Sequence, residues 1–143
     1  MLLERIQQNA SLLAKHPAYR CGEDSLTYSQ LWNAASLLAA QLQDGAGAVA
    51  LIGTKQPMMA VGMLGSLLAG RPYLPLSSDQ PKERLQRILS QANPGTVIDC
   101  REAKAEQWLK REPAMQNFLI PGNPSRDAYW LFTSGSSGSP KGV

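Results

Sequence analysis

The stretch Val49-Ala50-Leu51-Ile52-Gly53, then Pro57-Met58-Met59-Ala60-Val61-Gly62-Met63-Leu64-Gly65-Ser66-Leu67-Leu68, then Arg71-Pro72-Tyr73-Leu74-Pro75-Leu76 decides the fold. Val49–Ile52 is a short apolar run with the length of a buried strand, and Gly53 closes it. Pro57 to Leu68 is apolar nearly all round, which predicts a helix covered on most sides. Gly62, Gly65 and Ser66 weaken its helix propensity but are small enough to let other backbone approach closely. Arg71–Leu76 is a second strand-like run. A helix between two buried strands predicts a parallel pair joined by a crossover.

The same alternation continues on the carboxyl side. Pro81, then Leu85, Ile88, Leu89 and Ala92, predicts an amphipathic helix ended by Asn93-Pro94-Gly95. Thr96–Ile98 reads as a third strand, Glu102–Arg111 as a helix, and Tyr129–Phe132 as a last apolar strand of the sheet. Pro113 to Asp127, rich in Pro, Gly and Asn, reads as a long connection.

On the amino side, residues 2–14 place Leu3, Ile6, Ala10 and Leu13 on one side of a short helix. Tyr19–Cys21 and Leu26–Tyr28 read as a strand pair around Gly22-Glu23-Asp24-Ser25. Thr27-Tyr28-Ser29-Gln30 has the form of a capping box. Leu31, Ala34, Ala35, Leu38, Ala39 and Leu42 then keep helical spacing until Asp44-Gly45-Ala46-Gly47 stops the helix. The expected fold is α/β, a mostly parallel sheet with helices on both faces, in one domain over residues 1–143.

Composition removes several functions. The 143 residues are 43% hydrophobic and 17% charged, as in a globular chain. The net charge of +3 comes from scattered Lys and Arg, with no basic run to mark a nucleic-acid face. Met58 to Gly70, the longest apolar stretch, is shorter than the ~20 residues a membrane span needs. No secretory signal is visible, since Glu4 and Arg5 interrupt the start, so a cytoplasmic location is expected. Cys21 and Cys100 lie far apart with no metal-ligand spacing and read as unpaired thiols. His16 reads as a loop residue before Pro17, and Trp32, Trp108 and Trp130 read as packing residues.

The chemistry sits at Thr133-Ser134-Gly135-Ser136-Ser137-Gly138-Ser139-Pro140-Lys141-Gly142-Val143, directly after the last apolar run. Glycines leave backbone N–H groups unshielded and permit the positive φ values of an anion-binding nest. The hydroxyls of Thr133, Ser134, Ser136 and Ser137 add donors, and Lys141 adds a positive charge suited to a polyphosphate. In an α/β sheet, a ligand belongs beyond the carboxyl end of a strand, where this loop is expected. The spacing is not that of a Walker A loop, because Lys141 is followed by Gly142. A flexible Gly/Ser linker accounts for the small residues but not for the leading strand or Pro140-Lys141-Gly142-Val143.

Thr133 to Val143 resembles the phosphate loop of the adenylate-forming superfamily, which includes acyl-CoA synthetases, luciferases and the adenylation domains of nonribosomal peptide synthetases. Leu26-Thr27-Tyr28-Ser29-Gln30-Leu31 is similar to that family's early LTYxEL segment. Leu68 to Leu76, followed by Gln80 to Leu85, resembles LxAGxxYxPLxxxxPxERL. The resemblance covers 18–143 and implies the amino-terminal portion of an adenylation domain's large subdomain. Peptide synthetase adenylation domains and D-alanine–carrier protein ligase look most alike to it.

The resemblance implies a ligase that joins a small carboxylic or amino acid to AMP from ATP with Mg2+, releasing pyrophosphate. It then passes the acyl group to a thiol, either carrier-protein phosphopantetheine or CoA. Thr133, Ser134, Gly135, Ser136, Ser137, Gly138 and Lys141 would surround the phosphates, with positioning and charge neutralisation as their contribution. No catalytic residue and no metal ligand is assigned within these residues. The family's adenine, ribose and acyl sites lie downstream, so the remainder of the adenylation domain is an expected partner. Residues 1–143 by themselves are not expected to be active. With Val143 last, Ser134–Val143 is expected to be mobile or held by incidental contacts, and ATP to bind in the millimolar range or not at all. Two other readings stay open: an acyl-CoA synthetase or fatty acyl-AMP ligase fragment, and a non-catalytic lobe acting as a binding or structural module.

Overall fold

A central strand, β3 (Val49–Gly53), lies between β4 (Tyr73–Ser77) and β5 (Thr96–Asp99), and both neighbours run parallel to it. The computed structural model describes residues 2–102, 128–134 and 140–142. The expected helix Glu102–Arg111 past its first residue and the connection 113–127 lie outside the described residues.

The chain steps from β3 to β4, then back across to β5. With right-handed crossovers this reversal puts α3 (Pro57–Leu68) and α4 (Lys82–Ala92) on opposite faces. The alternation of β3 agrees. Val49 and Leu51 join a large cluster with α3 and α2 (Tyr28–Leu42), whereas Ala50 joins a small one with Leu74, Leu76 and Ile88. The expected α/β architecture is the observed one.

The α3 helix is covered on two sides, as its all-round apolarity requires. Met58, Met59, Val61, Leu64 and Leu68 are buried between α2 and the sheet. Gly62 is where the sheet comes close: a Cβ there would meet Leu51 Cδ2 at 2.7 Å. At its amino end α2 carries the expected capping box. The Gln30 N–H donates to Thr27 Oγ1 (3.1 Å) and the Thr27 N–H to Gln30 Oε1 (2.9 Å).

The expected strand pair is β1 (Pro17–Cys21) and β2 (Asp24–Thr27), antiparallel around a turn in which Gly22 takes φ +58°. The Tyr19 hydroxyl donates to the Lys55 carbonyl, tying this hairpin to the loop after β3. The first helix, α1 (Leu2–Leu12), packs Leu3 and Ile6 against the large cluster. Leu13, grouped by spacing with those residues, lies past the helix end and is exposed. There the chain turns toward β1, and the His16 N–H donates to the Leu13 carbonyl. His16 itself is an exposed residue of that turn.

Arg71 was read only as the start of a strand, yet it is buried to 5% exposure. Its Nε donates to the Gly47 carbonyl (2.9 Å) and Nη1 to the Leu42 carbonyl (3.1 Å). Its Nη2 donates to the Ala46 carbonyl and to Thr96 Oγ1, both at 2.9 Å. Leu42 ends α2, so the guanidinium meets the negative end of that helix dipole. Burial holds its pKa below the ordinary arginine value. The fork thus gathers the starts of β3 and β5 and the end of α2 at the amino edge of the sheet.

The last apolar run departs from expectation. Tyr129–Phe132 is not a full strand of the sheet: Tyr129 makes one parallel bridge to Tyr73. The Tyr73 N–H donates to the Ala128 carbonyl (3.1 Å) and the Trp130 N–H to the Tyr73 carbonyl (2.9 Å). Alternate residues of β4 face this edge, so the next rung falls on Pro75, which has no N–H to give. The ladder stops. The chain leaves the sheet as β6 (Phe132–Ser134), which pairs antiparallel with β7 (Pro140–Gly142). Of the segment expected to be mobile or held by incidental contacts, Ser134 and Pro140–Gly142 are instead paired in β6 and β7. Residues 135–139 and 143 lie outside the described residues.

Candidate phosphate-binding site

Thr133 and Ser134 stand on β6 and Lys141 on β7, so the expected phosphate loop is the tip of a hairpin. The register opposes Phe132 to Gly142, Thr133 to Lys141 and Ser134 to Pro140. A hydroxyl residue and the lysine eight positions later thus come to directly facing places. Gly135, Ser136, Ser137 and Gly138 belong to the connection 135–139 and lie outside the described residues.

Two features place the hairpin. Tyr129 pairs in parallel with the first residue of β4, so the chain heads toward the carboxyl end of the sheet as it enters β6. Trp130 and Phe132 pack against the cluster of Ala50, Leu74, Leu76 and Ile88 with Leu85 and Leu89, while β7 runs beside α4. The intervening Tyr129 and Leu131 alternate outward and are exposed, and Tyr129 stacks on Tyr73 with ring centroids 5.7 Å apart.

The carboxyl edge of the sheet is polar. Thr54, Lys55 and Gln56 follow β3, and Ser78, Asp79 and Gln80 follow β4. The Ser78 N–H donates to the Gly53 carbonyl (3.1 Å), closing the two loops together. The Gln56 amide oxygen accepts from the Thr54 N–H (2.6 Å), and Arg84 Nε donates to Gln80 Oε1 (3.0 Å). Asp99, last in β5, accepts from Arg101 through Nε (2.9 Å) and Nη2 (2.6 Å). Hydrogen bonding from Arg101 holds the Asp99 carboxyl below its ordinary pKa. Sequence reasoning passed over this pair because opposite charges two residues apart carry no periodic signal.

Among the described residues no group of three or more His, Cys, Asp or Glu side chains gathers to hold a metal ion. Cys100 is buried and its thiol is pushed up to about 12 by desolvation, with Asp99 adding to the shift. No described helix is long and apolar enough to cross a membrane.

A hairpin that sets Thr133 opposite Lys141 thus leaves the edge of a parallel α/β sheet. Residues 6–143 match the family model for the AMP-binding enzyme, and the chain belongs to that family. It is 33% identical to the D-alanine–D-alanyl carrier protein ligase of Staphylococcus haemolyticus, across 88% of this chain and 28% of that protein. To the ligase of the same name from Staphylococcus aureus (strain JH9) it is 31% identical, across 99% of this chain and 31% of the relative. The chain thus spans about 30% of the length of these curated relatives.

Solved structures share the fold. The N-terminal subdomain of Klebsiella oxytoca NpsA, in complex with 3-hydroxyanthranilyl-AMSN, aligns with a TM-score of 0.76 at 22% identity, covering 99% of this chain and 39% of that one. The nonribosomal peptide synthetase FmoA3 aligns with a TM-score of 0.79 at 24% identity, covering 100% and 17%.

Proposed function

We propose that the hairpin binds the phosphates of ATP, and that the chain supplies this part of a ligase activating an amino acid as its acyl adenylate. The observation that carries the reading is the register that sets Lys141 opposite Thr133 on a hairpin leaving the edge of a parallel sheet. Thr133, Ser134, Gly135, Ser136, Ser137 and Gly138 line the phosphates through hydroxyls and backbone N–H groups, and Lys141 meets their charge. The family match and the carrier protein ligase relatives support an amino acid as substrate and a carrier-protein thiol as acceptor. A cytoplasmic setting goes with the same reading.

In the reaction, a carboxylate oxygen attacks the α-phosphorus of ATP. The new bond joins that oxygen to phosphorus, the bond from the α-phosphorus to the bridging oxygen breaks, and pyrophosphate leaves with the electron pair. A thiolate then attacks the acyl carbon and AMP departs. The residues named here take no covalent part. They hold the leaving pyrophosphate in line and offset its growing charge. Magnesium accompanies the nucleotide's phosphates in this reading, and no residue of the described chain is assigned to it.

The test is a chimera in which residues 6–143 replace the matched part of the Staphylococcus haemolyticus ligase. D-Alanine-dependent exchange of labelled pyrophosphate into ATP is the expected outcome, with loss of at least about tenfold on Lys141→Ala. Exchange unchanged by that substitution would remove the phosphate-binding role from the hairpin.

A further inference from the structure

The hairpin's hold on the rest of the fold is uneven. Among the described residues it is joined to the sheet by one rung at Tyr73 and the stack of Tyr129 on that ring, because Pro75 has no N–H for the next rung. Its other support is side-chain packing. Phe132, the first residue of β6, and Trp130 just before it rest on the small cluster that contains Ile88 of α4, as do Leu85 and Leu89 of the same helix. Tyr129 and Leu131 contribute nothing to that contact, since both are exposed. A strand released from its sheet keeps a fixed direction only through what it packs on.

From this we infer that α4 is the seat of the phosphate hairpin and that Phe132 is a positioning residue for it. By packing on the cluster to which α4 gives Ile88, with β7 running beside that helix, Phe132 fixes where Thr133 and Lys141 stand without touching the nucleotide. The inference rests on the proposed phosphate-binding role of the hairpin. Its geometric half, that Phe132 holds β6 and β7 in place, stands apart from any ligand.

Two readouts test it in the chain as it is, with Leu64→Ala as control because Leu64 is buried in the cluster on the opposite face. The first is amide hydrogen exchange at Phe132–Ser134 and Lys141–Gly142. Phe132→Ala is expected to speed exchange there by about tenfold or more and Phe132→Leu to restore most of the protection, while Leu64→Ala changes it less than about twofold. The second is the affinity for MgATP, expected to fall with Phe132→Ala and to be held by Phe132→Leu and Leu64→Ala. Hairpin exchange that Phe132→Ala leaves unchanged, or that Leu64→Ala speeds equally, overturns the positioning role. If the unaltered chain binds no MgATP, the phosphate-binding reading falls, and amide exchange still decides the role of Phe132.

Discussion

The two faces of the sheet are built differently. On one, α2 and α3 bury a cluster that includes Val49, Leu51, Val61 and Leu64, and Gly62 and Gly65 let the layers close to contact distance. On the other, among the described residues, Ala50, Leu74, Leu76 and Ile88 form a smaller cluster, and Val97 on the neighbouring strand remains 50% exposed. The buried side chains of the first face all come from residues 26 to 100, with Leu3, Ile6, Ala18 and Tyr19 packed against them. The second needs Trp130 and Phe132, some thirty residues later, to cover it. Among the described residues burial is therefore concentrated on the α3 face, and the hairpin that carries the candidate site belongs to the thinner one. That division suits a binding loop, which has to adjust to a ligand without disturbing the core.

Truncation should expose the contrast most strongly. Leu51→Ala removes a side chain with 0% exposure, wedged under Gly62, and is expected to cost about 3–5 kcal/mol. Ile88→Ala on the other face is expected to cost about 2–3 kcal/mol, since the smaller cluster has room to collapse. Urea denaturation of both variants checks this, and equal losses would break the comparison.

Next in size is Arg71→Met, expected to cost about 2–3 kcal/mol. It removes the guanidinium donors to the Leu42, Ala46 and Gly47 carbonyls. The Leu42 carbonyl keeps the Gly45 N–H (3.1 Å), and the loop carbonyls of Ala46 and Gly47 can turn to water, which keeps the loss below three full desolvation penalties. A loss under about 0.5 kcal/mol in the same denaturation series would show that the fork adds nothing beyond solvation.

The smallest effect sharpens the description of the α3 face as dry. Cys100 lies in its cluster, and burial raises its thiol from 9.0 to about 12. At pH 8 only roughly 10⁻⁴ of it is thiolate, so iodoacetamide should label Cys21 in the folded chain and spare Cys100. The sign for stability follows. The folded pKa lies above the unfolded one, so the unfolded chain loses its proton first as pH rises. The contribution of Cys100 is full below about 9 and is lost between about 9 and about 12. Mass spectrometry showing both thiols modified at equal rates would mean that water reaches this face.

The α/β architecture was legible wherever a rule is local. Thr27 and Gln30 lie three residues apart and formed their capping box. The all-round apolarity of Pro57–Leu68 correctly placed that helix between two layers. The candidate site was legible as a motif, through Thr133–Lys141, because its glycines, hydroxyls and lysine are contiguous. Effects that depend on neighbours distant in sequence were not legible. Arg71 looked like any strand-start residue, since its acceptors sit 24 to 29 positions away. Tyr129–Phe132 looked like a sheet strand, since only the register against β4 shows that Pro75 blocks the second rung.

Calorimetric titration with MgATP, set beside the same titration of Lys141→Ala, tests the central claim most directly. The paired backbone of β6 and β7 places Lys141 opposite Thr133 before any ligand arrives. Saturable binding is therefore expected, weakened by about tenfold or more, or 1.4 kcal/mol, in the variant. Magnesium tripolyphosphate should compete for the same site. Equal affinities in the two proteins, or no binding by the unaltered chain, would contradict a phosphate site at this hairpin.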